Sequence, residues 1–225
     1  MKVYLLCGGY YKNFDYPKPF VVINGERLID RTTRLLSEYS IAPIICCNTE
    51  EHAFDDWNPL RCNFTYNHLD GTGYYLDIFD AVEFDEPCIF LFGDVYYTKF
   101  AMNKIIEKFN ETDRNIFICN QYPFNQWHLR QGEPFGWIVK DVEEFKAAIL
   151  LGKRFQDRGI VQDIRQKLDH GGIPTNWELA HIINGLAVND FCLRQEDCLV
   201  IDDATIDVDD PKVISIVEDR VRGSN

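Results

Sequence analysis

A lysine held between two prolines and three aspartates far downstream are the residues of this chain whose types could do chemistry together. Lys18 stands in Pro17-Lys18-Pro19, where both prolines restrict the backbone and fix the direction in which the ammonium projects. An ammonium is a compact compensating charge for a phosphate. Asp94 follows Gly93 directly after the apolar run 87–92, PCIFLF. A carboxylate at the end of a buried strand is well placed to hold a metal, because ligands of open α/β sheets gather at the carboxyl ends of strands. Asp207 and Asp209 flank Val208 in IDVDDP, and in extended backbone residues two apart face the same side. Like charge concentrated in this way costs stability unless a cation offsets it. Hard, oxygen-only ligands predict Mg²⁺ or Mn²⁺ in preference to zinc. Near the start, the apolar run 3–7 ends in Gly8-Gly9, where backbone N–H groups can approach phosphate oxygens.

Each of these features also has an ordinary structural use. Glycines are common in strand-to-helix turns, Asp94 could cap the helix expected over 100–109, and Asp209 or Asp210 could cap a closing helix with Pro211 at its first position. Thr98 stands nearer the start of the 100–109 helix, so it is the better cap and leaves Asp94 for other work. The two acidic stretches are more than a hundred residues apart, so only a fold that joins them makes a shared site.

The elements that must position these residues can be read from periodicity. After the first strand, 20–23 is β-rich and Asn24-Gly25 a turn. Leu28 to Tyr39 then places Leu28, Ile29, Thr32, Leu35 and Leu36 on one helical face. The runs 43–47 and 63–66 read as strands, and 67–73 (NHLDGTG) as a turn that opens a helix reaching Val82, with Thr72 as cap or ligand contact. Strands are expected at 87–92, 115–119 and 135–140, and helices at 142–151, 155–168 and 177–186, the last capped by Asn176. Glu178 falls in that helix's first turn, where helix polarity alone accounts for a carboxylate. A helix closes the chain to about Val221. The alternation implies one α/β domain over 1–225, a Rossmann-like three-layer unit with a twisted, mostly parallel sheet. No repeat, low-complexity segment or linker divides it.

Composition narrows the partners. A formal net charge of −13 argues against nucleic acid or an anionic membrane, which both demand a basic face. It leaves room for a nucleotide, since a divalent cation can bridge carboxylates to phosphates. The eight cysteines include the adjacent pair Cys46-Cys47 but no C-x-x-C, and most lie in apolar runs. Buried free thiols, and hence a reducing cytoplasm, are expected. No apolar run reaches the length of a membrane span, and the first residues lack the basic-then-apolar pattern of a signal peptide.

The first thirty-six residues resemble the start of the nucleotidyltransferases of the GT-A-like α/β fold, which make nucleoside-diphosphate sugars and related activated alcohols. The family pattern is L-A-A-G-x-G-x-R followed by P-K. Here it reads Leu5-Leu6-Cys7-Gly8-Gly9-Tyr10-Tyr11-Lys12, then Pro17-Lys18. Gly8 and Lys18 match, Tyr10 replaces the second glycine, and Lys12 replaces the arginine and loses its bidentate fork. Leu91-Phe92-Gly93-Asp94-Val95 resembles the family's metal-binding segment, and IDVDDP is similar to the I-D-[IV]-D-T-P segment of cytidylyltransferases and molybdopterin-type enzymes.

The resemblance implies the nucleotide-diphospho-sugar transferase fold and assigns roles by position. Leu6, Cys7, Gly8, Gly9, Gly71, Thr72 and Gly93 would contact the nucleotide. Lys12, Lys18 and Asp94 would be catalytic, and Asp94, Asp207 and Asp209 would hold Mg²⁺ or Mn²⁺. Trp127, Arg130, Gly136 and Glu178 would meet the acceptor in a subregion over about 121–186. The implied reaction moves NMP from an NTP, with CTP weakly preferred from the tail, to a phosphorylated sugar or related phosphorylated small molecule, and releases pyrophosphate. A glycosyltransferase of the same fold is the rival enzyme. Its donor is an activated sugar, so it has less use for Pro17-Lys18. A nucleotide-binding protein of weakened activity is the reading that Tyr10 invites.

Overall fold

The computed structural model describes residues 1–8, 13–66, 72–120, 133–161, 172–189, 193 and 195–223. In chain order the elements begin with β1 (Lys2–Leu6), a 3₁₀ turn over Lys18–Phe20, β2 (Val22–Ile23), β3 (Glu26–Arg27) and α1 (Leu28–Ser37). Next come β4 (Ile44–Asn48), β5 (Leu60–Cys62), the single turn α2 (Asp77–Asp80), β6 (Cys88–Phe92), β7 (Val95–Tyr96) and α3 (Lys99–Glu111). The second half contributes β8 (Ile116–Cys119), β9 (Pro134–Val139), α4 (Val142–Asp157), α5 (Asn176–Ile183), β10 (Cys198–Val200), β11 (Ile206–Asp207) and α6 (Pro211–Gly223). Among the described residues no helix is long and apolar enough to cross a membrane.

Seven strands make the main sheet in the order β10-β8-β9-β6-β1-β4-β5. The pairs β1·β4, β1·β6, β4·β5 and β8·β10 are parallel, and β9 runs antiparallel between β6 and β8. β1 and β6 lie side by side at the centre, with Leu5 opposite Leu91 and Leu6 opposite Phe92, and every residue of β6 is buried. A strand covered on both faces reads as an unbroken apolar run, and CIFLF is such a run. The carboxyl ends of β1 and β6 therefore open at the same edge, which brings residues 7–8 next to residues 93–94.

A second, smaller core lies beside this edge. Val21, Ile23, Leu28, Tyr96, Val208 and Val217 pack together, drawing on the segment after Lys18, on β7, on the tail and on α6. Arg31 strengthens the seam by donating to the Tyr97 carbonyl at 2.7 Å and covering the Tyr96 ring. This cluster holds the proline-flanked lysine and the tail aspartates against the end of β6.

Tyr97 performs a related task from inside the main core. Its hydroxyl accepts the Phe92 N–H at 3.1 Å and donates to the Phe135 carbonyl, although both residues belong to facing strands. The β6·β9 ladder runs from Cys88 to Leu91, so Phe92 and Phe135 are the next pair, and the phenol bridges them in place of a direct bond. Tyr97→Phe removes that bridge at a fully buried position. We expect a loss of about 1–3 kcal/mol, the range for leaving buried polar groups without their partner, read as a lower urea midpoint with an unchanged slope.

Several boundaries differ from the sequence reading. The third strand is Leu60–Cys62 and not 63–66, because Leu60, Arg61 and Cys62 take the places opposite Cys46, Cys47 and Asn48. The β-rich run 20–23 is split between the 3₁₀ turn and β2, since Pro17 and Pro19 favour a tight turn over a ladder. The helix expected up to Val82 is a single turn. The helices expected at 142–151 and 155–168 are joined into one through Asp157, and 162–171 lies outside the described residues. α4 continues through Gly152, where a Cβ would lie 2.5 Å from Leu76 Cδ1. Thr175, not Asn176, caps α5, and it does so in a capping box with Glu178.

Candidate active site

The 3₁₀ turn over Lys18–Phe20 is closed by Phe20 N–H to the Pro17 carbonyl and Val21 N–H to the Lys18 carbonyl, both at 2.9 Å. Pro19 then lies against Gly93. A Cβ on Gly93 would stand 2.7 Å from Cys7 Sγ and 3.1 Å from both the Leu6 carbonyl and Pro19 Cγ. Only glycine fits there. Leu6, Cys7, Pro19 and Gly93 thus form one packed unit, and it fixes where Lys18 and Asp94 begin.

The tail arrives by strand pairing. β11 runs antiparallel to β7, with Ile206 opposite Tyr96 and Asp207 opposite Val95, and the Val208 N–H donates to the Asp94 carbonyl at 2.9 Å. Upstream, Thr98 caps α3 by accepting from Ala101 N–H at 3.0 Å, while its hydroxyl also contacts Asp203 and its N–H donates to Thr205 Oγ1 at 3.2 Å. The cap that was expected to free Asp94 therefore also anchors the tail. Asn13 Nδ2 donates to the Asp209 carbonyl at 3.0 Å, and Asp207 N–H donates to Glu133 Oε2 at 3.3 Å.

As a result Asp94, Asp207 and Asp209 each offer an oxygen within 4.8 Å of the others. The Lys18 ammonium reaches into the cluster, 2.9 Å from Asp94 Oδ2 and in contact with Asp209 Oδ1. Burial alone would lower the Lys18 pKa, but Asp94, Asp207 and Asp209 more than reverse that, so the ammonium is held charged. Asp207 behaves in the opposite sense. Burial first, then the charges of Asp94 and Asp209, push its carboxyl well above the usual carboxylate range, and Lys18 offsets this only in part. Its Oδ1 is enclosed and has no hydrogen-bond partner among the described residues. An enclosed carboxylate oxygen beside two further carboxylates suits a divalent cation, and the all-oxygen set matches Mg²⁺ or Mn²⁺.

The raised acid gives a signed prediction. A cation competes with the Asp207 proton, so Mn²⁺ affinity should rise with pH through a range above that of an ordinary aspartate. Asp207→Asn should flatten that dependence in a calorimetric titration repeated across pH. Stability without added cation should move the other way. The folded form binds the Asp207 proton more tightly than the unfolded chain, so stability is highest below the unfolded value and falls as pH climbs towards the raised one.

The remaining expected site residues are distributed unevenly. Leu6, Cys7 and Gly8 lie at the end of β1, but Gly8 has a packing reason of its own, since a Cβ there would stand 2.1 Å from the Phe64 ring. Thr72 is exposed in the turn ahead of α2. Gly136 is buried within β9, opposite Leu91 and Ile118, and a Cβ on it would stand 2.1 Å from the Phe90 carbonyl. Glu178 is buried, and its Oε2 takes both the N–H and the hydroxyl of Thr175 at 2.7 Å. Gly9, Lys12, Gly71, Trp127 and Arg130 lie outside the described residues. Sequence reasoning passed over Tyr97, Asn13 and Glu133. Tyr97 alone carried a signal there, as an aromatic three residues after an aspartate at a strand end.

Comparison with known proteins follows the same lines. The family model of the MobA-like NTP transferase domain matches residues 3–165. Among solved structures the chain is similar to CTP:phosphocholine cytidylyltransferase from Streptococcus pneumoniae, at 14% identity over 98% of each chain, with a TM-score of 0.57. It is similar to 2-C-methyl-D-erythritol 4-phosphate cytidylyltransferase from Thermus thermophilus, at 9% identity over 98% of each chain and the same TM-score of 0.57. The inositol-1-phosphate CTP transferase from T. maritima gives 12% identity, 99% and 96% coverage and a TM-score of 0.51. At these identities the likeness is one of fold. No curated protein matches the chain in sequence.

Proposed function

Because the chain belongs to the family of MobA-like NTP transferase domains, we propose that it transfers NMP from an NTP to a phosphorylated sugar or related phosphorylated small molecule, releasing pyrophosphate. The observation that carries this reading is the meeting of Lys18 with Asp94, Asp207 and Asp209 at the carboxyl ends of β1 and β6. CTP is the donor we assign first, on the IDVDDP tail; three of the similar structures are cytidylyl or CTP transferases.

Asp94, Asp207 and Asp209 would hold Mg²⁺, which when bound supplies a Lewis acid for the phosphoryl oxygens. The chain's own groups do the rest by position and charge. Lys18, fixed at its backbone, neutralises negative charge on the α-phosphate and on the departing pyrophosphate. The backbone of residues 6–8 forms the floor under the phosphates, with Gly93 keeping that floor flush against Pro19. Thr72 offers a hydroxyl to the nucleotide. No covalent nucleophile is required, because the acceptor's phosphate oxygen attacks the α-phosphorus directly.

The reading is tested with a panel of the four NTPs, each combined with phosphorylated sugars and alcohols in Mg²⁺. Pyrophosphate should form with at least one pair and only when both partners are present. Release of a nucleoside diphosphate from a nucleotide sugar, with no pyrophosphate from any NTP, would instead support the glycosyltransferase.

A further inference from the structure

Glu133 stands outside the aspartate trio, yet it is held to the backbone of one member. Asp207 is paired with Val95, and the Val208 N–H turns towards β7 to reach the Asp94 carbonyl. Successive N–H groups of a strand point to opposite edges, so the Asp207 N–H turns away from β7. Glu133 Oε2 receives it at 3.3 Å. Asp207 is thereby held from both edges of β11, by a strand on one and by a side chain on the other.

The local structure fixes where that carboxylate stands. Asn120 Oδ1 accepts the Glu133 N–H at 2.6 Å, and the Asn120 N–H donates to the Glu133 carbonyl at 3.2 Å. Asn120 Nδ2 also donates to Glu133 Oε2, at 3.4 Å. Pro134 follows directly and keeps the Glu133 backbone extended. β9 then carries a bulge, because Ile118 faces Gly136 and Cys119 faces Pro134, which leaves Phe135 as the extra residue. One added residue reverses the side to which the side chains before it point, and Glu133 lies two positions ahead of it. Bulge, proline and asparagine together direct Glu133 to β11.

An ordinary strand edge would be served by a neutral acceptor at less cost, since a fourth carboxylate close to three others is repelled by them. A site completed by a divalent cation removes that objection. A charged acceptor also holds an N–H more firmly than a neutral one, which fixes the ligand residue before the ion arrives.

We propose that Glu133 is a positioning residue of this site, which holds the Asp207 backbone from the edge opposite β7 and so sets the Asp207 carboxylate for a divalent cation. The assignment rests on the cation site of the nucleotidyl-transfer reading. Its probe is Mn²⁺ alone, titrated into the protein by calorimetry. Glu133→Ala should weaken Mn²⁺ binding by about tenfold or more, the scale for removing a partner that orients a metal ligand. Glu133→Gln drops the charge but keeps an oxygen for the Asp207 N–H, so it should bind Mn²⁺ at least about threefold more tightly than Glu133→Ala. In the metal-free protein the Asp207 amide proton should exchange with solvent faster in Glu133→Ala than in Glu133→Gln.

A purely structural role would lower the melting temperature and leave Mn²⁺ affinity as in the wild type, and that result overturns the proposal. Equal losses in the alanine and glutamine variants overturn it too, because charge alone would then account for the effect. Should Glu133→Ala not fold, Asn120→Ala carries the test, since it loosens Glu133 without removing it. It should weaken Mn²⁺ binding in the same direction, and wild-type affinity there would count against the proposal. If the wild type takes up no Mn²⁺ yet releases pyrophosphate, this proposal alone falls. If it does neither, the nucleotidyl-transfer reading falls and takes this one with it.

Discussion

Asp94→Asn should remove metal-dependent turnover, by about a thousandfold or more, while leaving the fold intact. The substitution keeps the shape of the side chain, and the contact that joins this position to the tail uses the Asp94 backbone carbonyl, which accepts from Val208. The sheet and the β7·β11 pairing therefore have no reason to move. What is lost is a carboxylate at the end of a buried strand, within 4.8 Å of two others. Asparagine offers a weaker, uncharged oxygen to a hard cation and none of the charge that balances it. Asp209→Asn should have the same effect from the other side of the cluster. The double variant should lose little beyond either single one, because either change dismantles the same site. Steady-state pyrophosphate release with varied Mg²⁺, together with melting curves, checks both parts. Turnover retained within a few-fold in Asp94→Asn would remove this carboxylate from the mechanism.

Lys18→Met should show two separable losses. The sequence alone suggests a lysine that serves phosphate and nothing else, so its removal would spare stability. The structure changes that expectation, because the ammonium also neutralises Asp94 and Asp209. Without it three carboxylates face one another with no compensating charge. Breaking a fully buried pair costs about 3–5 kcal/mol, but the Asp209 side chain is 68% exposed, so about 1–3 kcal/mol is the fitting figure here. Saturating Mg²⁺ should restore the melting temperature, since a cation supplies the missing charge. It should not restore turnover, which we expect to fall by about a thousandfold, because the phosphate still lacks its partner. A variant that regains both with Mg²⁺ would show that Lys18 is only a counter-ion.

Much of the central architecture was legible in the chain. CIFLF is apolar at every position because both faces of β6 are covered, and that pattern identifies a central strand without any structure. The helix Leu28–Ser37 buries Leu28, Ile29, Thr32, Leu35 and Leu36, the same stripe that a 3.6-residue period selects. Thr98 caps α3 as its position predicted, which left Asp94 available. Cys7, Cys46, Cys47, Cys62, Cys88, Cys119 and Cys198 are buried and outside any disulfide, and for Cys7, Cys88 and Cys119 the apolar runs that hold them implied it.

What stayed hidden depends on contacts distant in sequence. The pairing of β11 with β7 joins residues separated by more than a hundred positions, and two strands of two residues leave no periodic trace. Register decides such a pairing, and register is set by the small cluster around Tyr96, Val208 and Val217, which no local pattern announces. The hydrogen bonds from the Trp137 indole to Asn176 Oδ1 and from Asn176 Nδ2 to the Tyr75 hydroxyl are of the same kind, because each residue has an ordinary local explanation taken singly. Gly8 and Gly136 show the reverse. A glycine near a strand end suggests ligand approach, yet Phe64 and the Phe90 carbonyl supply packing reasons for glycine at these two positions.

The central claim is that the chain cleaves an NTP between its α- and β-phosphorus and passes the nucleotidyl group to a phosphorylated acceptor. Following label from [α-³²P]CTP, and from the other three NTPs in parallel, tests that claim most directly. With Mg²⁺ and a phosphorylated acceptor, the label should move onto the acceptor as NMP, with one pyrophosphate released for each transfer. EDTA should stop both events together. Label that stays in a nucleoside diphosphate while orthophosphate accumulates, or transfer that persists in EDTA, would contradict the account.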